Sequence, residues 1–155
     1  MRRLVLSALA AGALAAGSAA CTPLGLWLYD DPRISVNELT VALDQSAEPF
    51  GVTLRFENPN DFDVTIAKVE AELRFDGRSV SRATHEQPST LPDGGDAHVR
   101  VQMQTSESVR QELSARLASG THSYVVQGRA TIDTPIGQRR VSFQSRGAGS
   151  FQKRG

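Results

Sequence analysis

The stretch Val52-Thr53-Leu54-Arg55-Phe56-Glu57-Asn58-Pro59-Asn60-Asp61-Phe62-Asp63-Val64-Thr65-Ile66 decides the fold. Val52, Leu54 and Phe56 alternate with polar residues, the period-two pattern of a strand with one buried face. Pro59 fixes its own φ, holds Asn58 extended and supplies no ladder donor, while Asn and Asp cap their own backbone. Residues 58–61 therefore read as a turn. Val64 and Ile66 then resume the alternation, so the stretch predicts two strands joined by a tight connection.

The same period extends outward. Upstream, Ile34, Val36, Leu39, Val41 and Leu43 predict a long first strand. Downstream, Val69, Ala71, Leu73 and Phe75 continue the alternation, but its phase changes at Ala67-Lys68, as a bulge or kink requires. Asp76-Gly77 accepts positive φ and turns the chain into a short strand about Ser79 to Thr84. Pro88 to Asp96, with Pro92, Gly94 and Gly95, reads as a loop before a strand through Val99, Val101 and Met103. Thr105 or Ser106 then caps a helix whose apolar stripe is Val109, Leu113 and Leu117. Glu107 suits its positive end, Glu112 and Arg116 pair outside, and Gly120 ends it. This helix is expected to cover one end or edge of the sheet. Tyr124 to Ile132, a turn at Thr134 to Gly137, and Val141 with Phe143 predict two more strands, and the tail from Gly147 reads as loose.

About seven strands in roughly 115 residues, with turn signals between them, predict an all-β sandwich of immunoglobulin or fibronectin-III-like kind with one amphipathic helix. A single helix excludes a parallel α/β architecture. Trp27 lies before the first strand, and the domain has no cysteine pair, so its core is aliphatic and Phe-based.

The N-terminus has different chemistry. Arg2 and Arg3 precede an apolar run from Leu4 to Ala20, closed by Ser18, Ala19 and Ala20 and followed by the only cysteine, Cys21. These are the parts of an export signal, and the residues before Cys21 resemble a bacterial lipobox, with Ser18 where leucine is more usual. A membrane-spanning anchor is the rival reading, but Ala and Gly dominate the run rather than Leu, Ile, Phe and Val. A lone exported thiol has no internal disulfide partner, and lipidation accounts for it. The expected organisation is a lipoprotein signal peptide over 1–20, a lipidated tether over 21–33 and the sandwich over 34–151. In the tether, Leu24, Leu26, Trp27, Leu28 and Tyr29 either lie at the membrane interface or pack on the domain; the sequence leaves both open.

Cleavage takes Arg2 and Arg3 away with no acidic residue, so the 17 basic residues become 15 against 17 acidic ones. That balance and an exported location argue against a nucleic-acid partner. Thr22 follows Cys21 where an acidic residue would retain many lipoproteins at the inner membrane, which favours the outer membrane, facing the periplasm.

Taken together, residues 52–60, the run Phe62 to Ile66, Leu73-Arg74-Phe75-Asp76-Gly77, Leu91-Pro92 with Gly94, and Tyr124-Val125-Val126-Gln127-Gly128 resemble the late embryogenesis abundant type 2 family, also called the water stress and hypersensitive response domain. The resemblance covers most of Ile34 to Phe151. It implies a β-sandwich with a helix, a link to desiccation or other stress, and no catalytic residues to carry over. Asn58, Pro59 and Asn60 match the family motif and are expected to shape a turn.

The residues themselves offer little chemistry. Gly147-Ala148-Gly149-Ser150 lacks the strand-to-helix context of a nucleophile elbow. His85, His98 and His122 are too dispersed for a local metal motif. Asp61 with Asp63, and Asp93 with Asp96, lack a twelve-residue calcium loop and read as solvated turn carboxylates. The expectation is a non-catalytic envelope protein with no cofactor, metal or small-molecule substrate, held to a membrane by its N-terminal lipid and protecting clients or membranes under drying or osmotic stress. The alternative is an interaction subunit of an envelope protein assembly.

Overall fold

The alternation around residues 52–66 becomes two antiparallel strands that belong to different sheets. The computed structural model describes residues 28–43 and 48–151. Its strands are β1 (Arg33–Val41), β2 (Phe50–Glu57), β3 (Val64–Phe75), β4 (Arg78–His85), β5 (Ser89–Leu91), β6 (Asp96–Met103), β7 (His122–Thr134) and β8 (Gly137–Gly149), with helix α1 (Glu107–Arg116) between β6 and β7. β1, β2 and β6 form one antiparallel sheet in the order β1-β2-β6; the larger sheet has the order β4-β3-β7-β8, with β5 on the first residues of β3. Among the described residues the fold is an all-β sandwich of eight strands with one short helix.

The inward residues of both sheets make one core. Phe50, Val52, Leu54 and Phe56 of β2 face Val69, Leu73 and Phe75 of β3 and Val126, Ala130 and Ile132 of β7, all fully buried. Phe75 packs on Phe50 at 6.1 Å between ring centroids. Met103, at the end of β6, is fully enclosed opposite Phe50.

Local chemistry sets the irregularities. The phase change at Ala67-Lys68 is a register shift between Ile66 and Lys68 against β7. It keeps Val64 and Ile66 on the same inner face as Val69 and Ala71, because the extra residue absorbs the half-period. Asp76 and Gly77 take φ 46° and 80° in the β3–β4 turn, both positive as a type I′ hairpin turn demands. Ser106 caps α1, its hydroxyl accepting from Val109 N, and Leu113 and Leu117 enter the core.

Four sequence expectations change. The loop over Pro88 to Asp96 contains β5, which fills the position beside β3 that β4 does not reach. Residues 147–151 are not loose: Gly147, Ala148 and Gly149 pair with Tyr124, Ser123 and His122, and Phe151 packs edge-on against Phe75 at 5.1 Å. The period-two signal fades there because glycine supplies no side chain, yet Gly147 is needed, since a Cβ would lie 2.4 Å from the Tyr124 ring that covers it. Helix α1 ends at a Leu117 cap instead of at Gly120, which takes φ 90° in the turn toward β7. Leu43 lies beyond the end of β1.

Candidate functional site

Asn58 and Asn60 do more than shape a turn. Both are buried, at 4% and 5% exposure. The two Asn58 amide hydrogens go to the carbonyls of Phe62 (2.8 Å) and Pro92 (2.9 Å), with the Leu91 carbonyl (3.3 Å) sharing one of them, and its Oδ1 accepts from Asn60 N (3.0 Å) and Asn60 Nδ2 (2.8 Å). Asn60 Nδ2 also donates to Asp30 O (2.8 Å), and its Oδ1 accepts from Asp30 N (2.9 Å). Two side-chain amides thereby hold three segments together: the chain entering β1, the β2–β3 turn and the β5–β6 loop. Buried amides are stable only when so satisfied. Pro59, between them, is exposed.

The same network fixes the incoming chain. Asp30 makes a two-bond clasp with Asn60, and Tyr29 packs against the core. Arg139 of β8 stacks over the Tyr29 ring at 5.6 Å, and its Nε lies 3.9 Å from Asp31. Burial, then the negative charge of Asp31, pushes the Tyr29 hydroxyl up to about 12. Of the two readings left open for this segment, packing on the domain holds for Tyr29, while Leu28 stays 78% exposed. Cys21, the signal run, and Leu24, Leu26 and Trp27 lie outside the described residues.

At the other end of β3, Asp76 Oδ2 accepts from Arg116 at 3.2 Å and meets His122 Nδ1 at 2.9 Å, and Oδ1 accepts from Ser123 N at 3.0 Å. His122 Nε2 lies 2.8 Å from Ser119 O. Both ring nitrogens thus face acceptors, which only the protonated ring satisfies in full. The Asp76 hydrogen bond, then that to Ser119 O, raises His122 above its usual value, and the His122 hydrogen bond leads those that lower Asp76. This cluster ties the end of α1 to the β3–β4 turn and the start of β7.

A polar row crosses the outer face of the larger sheet. Arg82, Glu72, Gln127 and Gln144 are register partners on β4, β3, β7 and β8. Glu72 accepts from Arg82 at 3.1 Å and from Gln127 at 2.8 Å, Gln127 accepts from Gln144 at 3.1 Å, and Gln144 accepts from Arg146 at 3.3 Å. Hydrogen bonds from Ser79, then Gln127 and Arg82, hold the Glu72 carboxyl down at about 2. This row lines a depression of about 660 Å³. Gly128, which also lines it, is required sterically: a Cβ would fall 2.0 Å from the Glu70 carbonyl and 2.8 Å from the Phe143 ring.

The two outer faces differ in charge. On the β1-β2-β6 face the paired positions carry Arg33, Arg55 and Arg100 against Glu38, Glu57 and Asp96, which balance. On the larger sheet they carry Lys68, Arg74, Arg82, Arg129, Arg140 and Arg146 against Glu70, Glu72 and Asp133, an excess of three cations. Lys68 and Arg82 are ion-paired. Among the described residues the side chains of Arg129 and Arg140 have no hydrogen-bond or ion-pair partner. Sequence reading missed this face because total charge says nothing about how strand register sorts it.

Other polar residues singled out in the sequence have local roles. Asp63 Oδ1 accepts from Asp93 N at 2.9 Å, and Asp96 pairs with Arg55 at 3.1 Å, so the Asp63 and Asp96 side chains tie loop and strand neighbours together. His85 and His98 stand on β4 and β6, apart from His122. Among the described residues no group of three or more His, Cys, Asp or Glu is placed to hold a metal ion, and no helix is long and apolar enough to cross a membrane.

Over the described residues the chain is thus a two-sheet antiparallel sandwich with one helix and a buried asparagine junction. The family model described as late embryogenesis abundant protein, LEA_2, matches residues 53–147. This is more than half of the chain, and the chain belongs to that family, which links it to stress. The family is generally non-enzymatic. A solution structure from Arabidopsis thaliana is similar over 83% of this chain and 87% of its own, at 16% identity and TM-score 0.68. A second solution structure, of a late embryogenesis abundant protein, covers 78% of this chain and 71% of its own at 16% identity and TM-score 0.61. A crystal structure from Archaeoglobus fulgidus covers 80% and 98% at 10% identity and TM-score 0.53. These likenesses show the fold. No curated protein matches the chain.

Proposed function

We propose that this chain is a lipid-anchored, non-catalytic protein of the bacterial cell envelope that protects membranes or partly unfolded clients by contact when water is scarce. The observation that carries the reading is the late embryogenesis abundant match over 53–147 in a chain whose Cys21 follows an export-type run. The lipid anchor is Cys21, and the membrane is the outer one, on its periplasmic side. Several acyl chains hold a protein to a bilayer where one holds only marginally.

The test is mass spectrometry of the membrane-fraction protein beside Cys21→Ser, joined to survival of a deletion strain after drying. The expected result is an acylated Cys21 at the N-terminus, lost in the variant, and reduced survival of the deletion strain. A chain retaining residues 1–20 with a free thiol would overturn the anchor. Unchanged survival would overturn the protective role, and one stoichiometric co-purifying protein in unstressed cells would replace it with an assembly subunit.

A further inference from the structure

We infer that the outer face of the β4-β3-β7-β8 sheet lies against an anionic phospholipid surface, with headgroup phosphates as the ligands of its arginines. The inference rests on the lipid-anchor reading and deepens it, because it says which face the anchored domain turns to the bilayer.

Three observations carry it. The first is charge complementarity: this face has three more cations than carboxylates, whereas the opposite face is balanced. The side chains of Arg129 and Arg140 have no polar partner among the described residues, while Arg74 and Arg146 reach only neutral groups, Gly77 O and the Gln144 amide. Arg140 and Arg146 lie six residues apart on β8, which spans about 20 Å of strand. A strip of that length can meet several headgroups at once. Basic clusters beside a membrane bind anionic lipids in this way, with attraction that salt screens.

The second observation is where the anchor chain arrives. Tyr29 and Asp31 lie against Arg139 on the edge strand β8; Arg139 pairs with the inward Ile132, so this contact is on the other side of the strand from Arg140 and places the anchor chain at the β8 edge of the sheet. Cys21 is seven residues before Leu28, a reach of at most about 25 Å. An acyl group on Cys21 therefore brings this edge to the bilayer. The third is apolar. Leu28 is 78% and Ile136 51% exposed, the two exposed large hydrophobic residues among those described. Leu28 precedes Tyr29, and Ile136 sits in the β7–β8 turn three residues before Arg139. Apolar side chains beside arginines suit the headgroup boundary, where burial and charge act together.

The test uses the full chain, recovered from membranes and reconstituted into phosphatidylcholine vesicles with or without phosphatidylglycerol. A fluorophore is placed at Ser142→Cys on the proposed face or at Gln102→Cys on the opposite one, and quenching by a headgroup-labelled lipid is measured. On anionic vesicles the label at position 142 is expected to be quenched roughly twofold or more above that at 102. The contrast should vanish on neutral vesicles and in R129Q/R140Q/R146Q. Those three side chains are exposed, so an unchanged thermal transition shows that the triple variant is folded. Equal quenching at both positions on anionic vesicles, or a contrast that persists on neutral ones, overturns the proposal. Labelling of the unsubstituted chain reports separately on the anchor, because an acylated Cys21 thiol does not react. If it does react, the anchor reading falls, and the same face comparison is made in Cys21→Ser.

Discussion

At the end of the sandwich where β2 turns into β3, Asn58 and Asn60 hold three segments with neutral amides that are almost wholly buried. At the far end of β3, Asp76, His122 and Arg116 hold α1, a hairpin turn and β7 with charged groups that remain partly in water. Neutral amides cost little to bury when every donor and acceptor is matched, and no pH in the ordinary range changes them. Ionic contacts at the surface are screened, individually weak and titratable. One end is therefore fixed and the other adjustable.

The largest expected effect breaks the fixed end. Asn58→Ala strands the carbonyls of Phe62, Leu91 and Pro92 and the amide of Asn60, and a loss of about 3 kcal/mol is expected in chemical unfolding. If the loss stays near the size of a surface change, the amide junction is not what holds these loops. Next comes the pH response of the adjustable end. The raised His122 contributes stability that is complete below its ordinary 6.5 and lost as pH rises through its folded value. The lowered Asp76 contributes above its ordinary 3.8, and that contribution is lost as pH falls through its folded value. The cluster is tightest between these two values. Thermal melting of the wild type should therefore drop from pH 6 to pH 8 more than that of His122→Gln, and parallel curves would remove the imidazole from the account. The smallest effect is that of Arg116→Gln, which removes the exposed contacts to Asp76 and Glu112. A change within about 0.5 kcal/mol is expected; a loss comparable to that of Asn58→Ala would erase the distinction between the ends.

How much of this was legible in the chain follows from the range of each signal. β2, the bulge at Ala67-Lys68, the Asp76-Gly77 turn and the Ser106 cap are local, and the residues that make them are adjacent. β5 was hidden because three residues between prolines carry no period, and its strand character comes from pairing with Val64 to Ile66. The last residues of β8 were hidden because Gly147 and Gly149 leave no alternation to read. Asn58 and Asn60 showed as turn formers, but their bonds to Asp30 and Pro92 join positions about 30 residues apart. The basic face needs the register of four strands before Lys68, Arg129 and Arg140 become neighbours. A nearly neutral total composition concealed it.

The placement of sulfur in this molecule bears on oxidative damage. The strands hold no thiol, and the single thioether within them, Met103, is enclosed by the core. Peroxide reaches cysteine and methionine first, and converting a buried thioether to a polar sulfoxide disrupts packing. Here the native sandwich presents no sulfur to an oxidant in solution, so its packing outlasts conditions that would inactivate a thiol-bearing protein.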